Sequence, residues 1–218
     1  MGDQSLVSNQ TRDRLRGLAR PVALGLGRLG LTPNALTVIG FLGTCVAAVA
    51  AAAQWWLAAG ILVIAFGIFD MFDGALARAT GTASRFGAFL DSTLDRTGES
   101  LVLAGAAVGC AAAGFTWGVA LAGVAAAFAS SVTYTRAKAE SLGLRGDVGV
   151  APRPERIVVL AVGLVLASMS WTVDNALLGA FARGSTWLAI ALGLIAVLSA
   201  ITVVQRIVHV RHQLGSEQ

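Results

Sequence analysis

Apolar residues along this chain run in long blocks instead of alternating with polar ones. Six stretches, at about 33–53, 56–77, 88–113, 116–135, 156–173 and 185–207, each approach the ~20 residues a helix needs to cross a hydrocarbon core. The pattern predicts an all-α integral membrane fold with six transmembrane helices. Ahead of them Leu15, Leu18, Val22, Leu26 and Leu29 recur at helical spacing, while Arg12, Arg16 and Arg20 form a second row. This is the pattern of an amphipathic juxtamembrane helix lying against anionic headgroups, kinked at Pro21. Thr32 and Pro33 read as an N-cap and first helical residue, so the first span starts there. The expected division is a juxtamembrane segment over 1–31, a six-helix catalytic domain over 32–212 and a polar tail over 213–218.

Composition agrees. Of 218 residues 56% are hydrophobic and 13% charged, with a mean hydropathy of +0.75, which excludes an ordinary soluble core. The N-terminal segment has no clean apolar run of the kind a cleavable signal needs. Arg12, Arg14, Arg16, Arg20 and Arg28 precede the first span, Arg78 and Arg85 join the second to the third, and Arg136, Lys138, Arg145, Arg153 and Arg156 join the fourth to the fifth. Arg206 and Arg211 close the chain, whereas the opposite loops near Gln54, Gly114 and Asp174 carry only Arg183. By the positive-inside rule both termini and the two charged loops are cytoplasmic, in a multi-pass protein of the cell membrane. The net charge of +4 therefore describes topology and anionic ligands, and no nucleic-acid partner is expected. Cys45 and Cys110 fall in spans without a pairing motif, and His209 and His212 lie at the end of the last span without partners.

The chemistry concentrates in one segment. Asp70, Asp73, Asp91 and Asp95 stand within hydrocarbon-grade sequence, where an ionised Asp at a helix centre costs roughly 2.5–3.5 kcal/mol. A cluster persists there only by pairing, by lining a wet cavity or by binding cations. Asp70 and Asp73 are i,i+3 and Asp91 and Asp95 are i,i+4, so each pair shares a helix face. Gly74, Ala77 and Gly87 leave room beside them, and Arg78 and Arg85 stand where phosphate oxygens would approach. Hard oxygen donors with no Cys or His nearby select Mg²⁺, Mn²⁺ or Ca²⁺. Two cations about 3.5–4 Å apart can neutralise a diphosphate, and one carboxylate must stay available as base. The competing readings are an intramembrane salt-bridge network and a cation transporter. Glu99, one turn beyond Asp95, either supports this cluster or pairs with Arg96.

The offsets themselves carry a resemblance. Asp70, Asp73, Gly74, Ala77, Arg78, Gly87, Asp91 and Asp95 match in every position the signature of the CDP-alcohol phosphotransferase family. The resemblance implies six transmembrane helices with an N-terminal juxtamembrane helix, a homodimer, and catalysis on the cytoplasmic side. It implies Asp70, Asp73 and Asp91 as principal metal ligands, with Asp95 completing a two-metal Mg²⁺ (or Mn²⁺) site and serving as general base. Gly74, Ala77 and Arg78 would contact the CDP moiety. Thr32, Pro33, Asn34 and Thr37 resemble the family's opening segment, which puts Asn34 and Thr37 near the nucleotide, with Arg85 beside the phosphates.

Residues 134–157 are similar to the cytoplasmic loop of the actinobacterial phosphatidylinositol phosphate synthases, in the run Arg136-Ala137-Lys138-Ala139-Glu140, in Gly143 to Asp147 and in Arg153-Pro154-Glu155-Arg156. Val204-Gln205-Arg206 extends the likeness. It implicates Arg136, Lys138, Arg153, Arg156 and Arg206 in holding the acceptor's phosphate. The order Arg136 then Lys138 departs from the Lys-Ala-Arg of that group, which moves the bidentate fork. The expected activity is transfer of a phosphatidyl group from CDP-diacylglycerol, or a similar CDP-lipid, to inositol phosphate, giving phosphatidylinositol phosphate and CMP. The nearest alternative is a phosphatidylglycerol phosphate synthase, which differs in acceptor.

Overall fold

Local capping chemistry starts the first long helix where the sequence places it. Thr32 is extended and its hydroxyl accepts the Ala35 N–H at 3.2 Å, while Pro33 fills a position that needs no donor. A computed structural model describes residues 21–169 and 185–215, and every regular element among them is an α-helix. Residues 21–28 are helical and lead into α1 (Pro33–Ala52), followed by α2 (Trp56–Phe69), α3 (Met71–Thr80), α4 (Arg85–Ala112), α5 (Thr116–Ser141), α6 (Arg153–Ser168) and α7 (Ser185–Gly215). The arginine row Arg12, Arg16 and Arg20 of the expected juxtamembrane helix lies outside the described residues, as do Arg14, Asp174, Arg183 and residues 216–218.

The boundaries differ from the sequence reading in instructive places. The second apolar stretch is interrupted at Asp70, which separates α2 from α3 and puts a carboxylate at the joint. Gly81, at φ 69°, closes α3 in the left-handed conformation that glycine adopts without strain. Ser84 then caps α4 by accepting the Gly87 N–H at 3.0 Å, so this helix begins at Arg85 instead of near residue 88. At the other end of the chain α7 runs on to Gly215 and absorbs the first residues of the expected polar tail.

Among the described residues four helical stretches are long and apolar enough to cross a membrane: Pro33–Ala52, Trp56–Thr80, Thr116–Ser141 and Thr186–Gly215. The two other long apolar stretches are less clear-cut by length and composition. α4 has 28 residues but carries Arg85, Asp91, Asp95, Arg96 and Glu99 between its start and its middle, and the described part of α6 is 16 residues long.

Helix packing closes a ring. α1 packs on α2 and α4, α2 on α6, α6 on α7, α7 on α5, and α5 returns to α4. Small residues permit the approach: a Cβ on Gly105 of α4 would collide with the carbonyl oxygen of Ala48 on α1. The interior is rich in alanine, with Ala47, Ala51, Ala125 and Ala161 buried beside Leu103, Leu164 and Leu192. The outside is apolar as well. Leu42, Val46 and Val49 of α1 and Leu194, Val197, Ile201 and Val204 of α7 are exposed in rows, a surface that lipid covers and water would not tolerate.

Candidate active site

Three carboxylates converge at the end of the ring where α2 meets α3 and α4 begins. Oxygen atoms of Asp70, Asp91 and Asp95 all lie within 4.8 Å of one another. The helical joint supplies Asp70, and one face of α4 supplies Asp91 and Asp95 a turn apart. These acids line a cleft of about 250 Å³ together with Asp73, Gly74 and Arg78.

Asp73 lies in the same cleft with its carboxylate otherwise engaged. It is buried, one oxygen accepts the Thr37 hydroxyl at 2.6 Å, and the other accepts the N–H of Gly74. The structure thus ties Asp73 to α1 and leaves it out of the close trio. Thr37, expected near the nucleotide, is 4% exposed and spends its hydroxyl on Asp73.

The small residues of the segment have visible work. A Cβ on Gly74 would stand 3.1 Å from the guanidinium of Arg78, so glycine lets that side chain fold over the cleft floor. A Cβ on Gly87 would stand 3.1 Å from the Asn34 side-chain oxygen and from the Ser84 hydroxyl. Asn34 and Gly87 are accordingly brought together, while Arg85 is exposed at the start of α4 and Ala77 is half-buried on α3.

The basic residues divide in a way the sequence did not show. Arg153, at the first position of α6, places Nη1 3.1 Å from Asp70 and 2.6 Å from Asp95. Carboxylates this close repel one another, and Arg153 supplies a positive charge in their midst. Arg156 is 3% exposed and gives Nε and Nη2 to the two oxygens of Glu99, at 2.7 and 2.8 Å, and Nη1 to the Ala151 carbonyl at 2.9 Å. Arg206 is equally buried and donates to the carbonyls of Val148 and Val132. Both arginines therefore hold protein groups here, side by side with their expected place on an acceptor phosphate.

Arg136 and Lys138 remain exposed near the end of α5, Arg136 in an ion pair with Glu140 at 2.8 Å. Arg206 lies close enough to Arg136 and Arg156 for their charges to interact. The loop between α5 and α6 is laid along α7 by Arg145 with Gln213, Val150 with Gln205 and Ala151 with Thr202. Glu99 answers the question its sequence position left open: it pairs with Arg156, 57 residues away, and not with Arg96. The matching steps, i,i+4 from Asp95 to Glu99 and i,i+3 from Arg153 to Arg156, were a usable signal for two rungs between the same helices.

An all-carboxylate donor set with no Cys or His lining the cleft fits a hard divalent cation, and Asp70, Asp91 and Asp95 are the residues that would hold it. Acids and arginines gathered at the end of a membrane-helix ring suit phosphate chemistry on a lipid, and by themselves they suit cation passage as well. The chain belongs to the CDP-alcohol phosphatidyltransferase family, whose model matches residues 30–200. It is therefore a transferase, and the transport reading falls away. The phosphatidylinositol phosphate synthase of Cutibacterium acnes is 40% identical over 195 residues, which cover 88% of this chain and 91% of that one. The crystal structure of the Mycobacterium tuberculosis phosphatidylinositol phosphate synthase with CDP-DAG bound is similar at a TM-score of 0.78 and 32% identity, over 88% of this chain and 92% of that one. The same enzyme in complex with manganese and citrate matches at a TM-score of 0.77 and 33% identity, covering 88% of each chain.

Proposed function

We propose that this protein is a phosphatidylinositol phosphate synthase, which transfers the phosphatidyl group of CDP-diacylglycerol to inositol phosphate and releases CMP. The observation that carries the reading is the cluster of Asp70, Asp91 and Asp95 with Arg153 held among them, in a chain whose relatives bear that name. A neutral or cationic acceptor has no use for the cations gathered above the cleft.

In this reading the lipid's diphosphate lies over Gly74, in the cleft that Arg78 also lines, with Ala77 beside the CDP moiety and Arg78 on the departing CMP phosphate. Asp95 accepts the proton of the attacking hydroxyl. The new phosphorus–oxygen bond forms as the bond from phosphorus to CMP breaks, and CMP leaves with the electron pair. Asp70, Asp91 and Asp95 would hold a divalent cation, which would supply charge neutralisation for the diphosphate. Asp73, braced by Thr37, keeps α3 seated against α1 and adds negative charge to the same cleft. Arg153, Arg136 and Lys138 meet the acceptor's phosphate, and Asn34 and Arg85 line the approach of the nucleotide.

All six helices of the ring cross the membrane in this reading, with the charged first turns of α4 and α6 at the headgroup level. The acid cluster and both chain ends face the cytoplasm, since the basic residues lie at that end. The enzyme works as a homodimer. A CMP-release assay in detergent, with CDP-diacylglycerol, Mg²⁺ or Mn²⁺, and a panel of acceptors tests the assignment. Turnover with inositol phosphate and little with glycerol phosphate or unphosphorylated inositol supports it; a preference for glycerol phosphate overturns it.

A further inference from the structure

α4 and α6 stand on opposite sides of the helix ring, each packed on other neighbours. Both reach a cavity of about 40 Å³ inside the ring, lined by Asp95, Glu99 and Val102 from α4 and by Arg153, Ile157 and Leu160 from α6, with α1 and α2 supplying the rest of its wall. Two ion pairs bridge it. The upper rung, Arg153 with Asp95, is at the cleft and its side chains are 31% and 19% exposed. The lower rung, Arg156 with Glu99, is bidentate and its side chains are 2% and 7% exposed.

We propose that Glu99 is a positioning residue: through Arg156 it sets the register of α6 against α4 and so fixes where Arg153 meets the acid cluster and the acceptor phosphate. The inference rests on the acceptor role given to Arg153 above. Three observations carry it. A buried ion pair is a poor source of stability compared with apolar residues of similar volume, so its return lies in geometry. Its bidentate form holds the two helices at one distance and one rotation. The remaining Arg156 nitrogen grips the carbonyl of Ala151, whose own N–H is held by Thr202 at 3.1 Å. Arg153 therefore follows, two residues on, from a backbone position pinned on both sides, and α6 cannot slide without breaking the lower rung.

A double-mutant cycle on the full-length enzyme tests this, using Glu99→Gln, Arg153→Ala and the pair. Glu99→Gln should raise the inositol phosphate KM about tenfold and leave the CDP-diacylglycerol KM within about twofold, and this effect should vanish in the Arg153→Ala background. Equal multiplication of the KM in both backgrounds overturns the proposal while leaving Arg153 on the acceptor. An Arg153→Ala enzyme with an unchanged acceptor KM removes Arg153 from the acceptor and the proposal with it. Because an orphaned Arg156 is destabilising, Glu99→Leu with Arg156→Met serves as a second variant in which the lower rung is apolar. Its unfolding temperature should recover toward wild type while the acceptor KM stays raised; recovery of both reduces Glu99 to a fold-stabilising role and overturns the proposal.

Discussion

Arg153 and Asp95 are 58 residues apart in sequence and 2.6 Å apart in space. The contact joins the acids of the cleft, to which the proposed mechanism gives the lipid diphosphate, to the loop and helix that carry the cations it gives to the acceptor. It makes the two halves of the site one electrostatic unit, so substitutions on either side are separable only by substrate.

Asp91→Asn and Asp95→Asn should each lower CMP release by at least about a hundredfold, for different reasons. In the proposed mechanism Asp91 is a ligand only, and excess Mn²⁺ should partly restore its variant. Asp95 is also the proposed base, and its variant should stay inactive at any metal concentration. CMP release against a metal titration decides, and an active Asp95→Asn enzyme removes the base assignment.

Arg78→Ala should raise the KM for CDP-diacylglycerol about ten- to a hundredfold, the equivalent of about 1.5–3 kcal/mol from a charge-assisted hydrogen bond, with little change in the acceptor KM. Lys138→Ala should show the reverse. Initial rates with each substrate varied in turn provide the check.

Thr37→Val deletes the hydroxyl that donates to Asp73 at 2.6 Å and leaves a buried carboxylate oxygen without that partner. The loss should be about 1–3 kcal/mol of stability, seen as a lower unfolding temperature in detergent, with reduced turnover. Thr37→Ser keeps the donor and should retain both.

Gly105→Leu forces a side chain into the carbonyl of Ala48 and should destabilise the fold by about 1–3 kcal/mol or more. Gly123→Ala meets open space and should leave the unfolding temperature unchanged. Thermal unfolding of the two purified variants makes the comparison.

Single cysteines at Ala83 and Ser141, in a background lacking Cys45 and Cys110, should react only once the cytoplasmic face is opened, and one at Ala113 should react from outside. Labelling of Ala83→Cys in intact cells inverts the proposed topology.

Much of the site was legible because its grammar is local. Asp91 and Asp95 share a face by covalent spacing alone, and Thr32 and Pro33 act within three residues of themselves. The break at Asp70 was not legible, since Phe69 and Met71 are as apolar as their neighbours and hydropathy runs straight through it. The protein partners of the basic residues were not legible for a related reason. Positive charge at one end of a bundle satisfies the topology rule whatever each arginine touches, so Arg153, Arg156 and Arg206 looked alike in sequence.

The sequence by itself determined the helical membrane class, the carboxylate segment and the family, because hydropathy blocks and i,i+3 or i,i+4 spacing are properties of the chain within a few turns. Tertiary structure alone decided the partners: Asp73 to Thr37, Arg153 to Asp70 and Asp95, and Arg156 to Glu99. Those choices depend on which helices face one another around the ring and at what register. Both are set by the summed packing of small residues such as Gly105 against Ala48, and no local pattern encodes that sum.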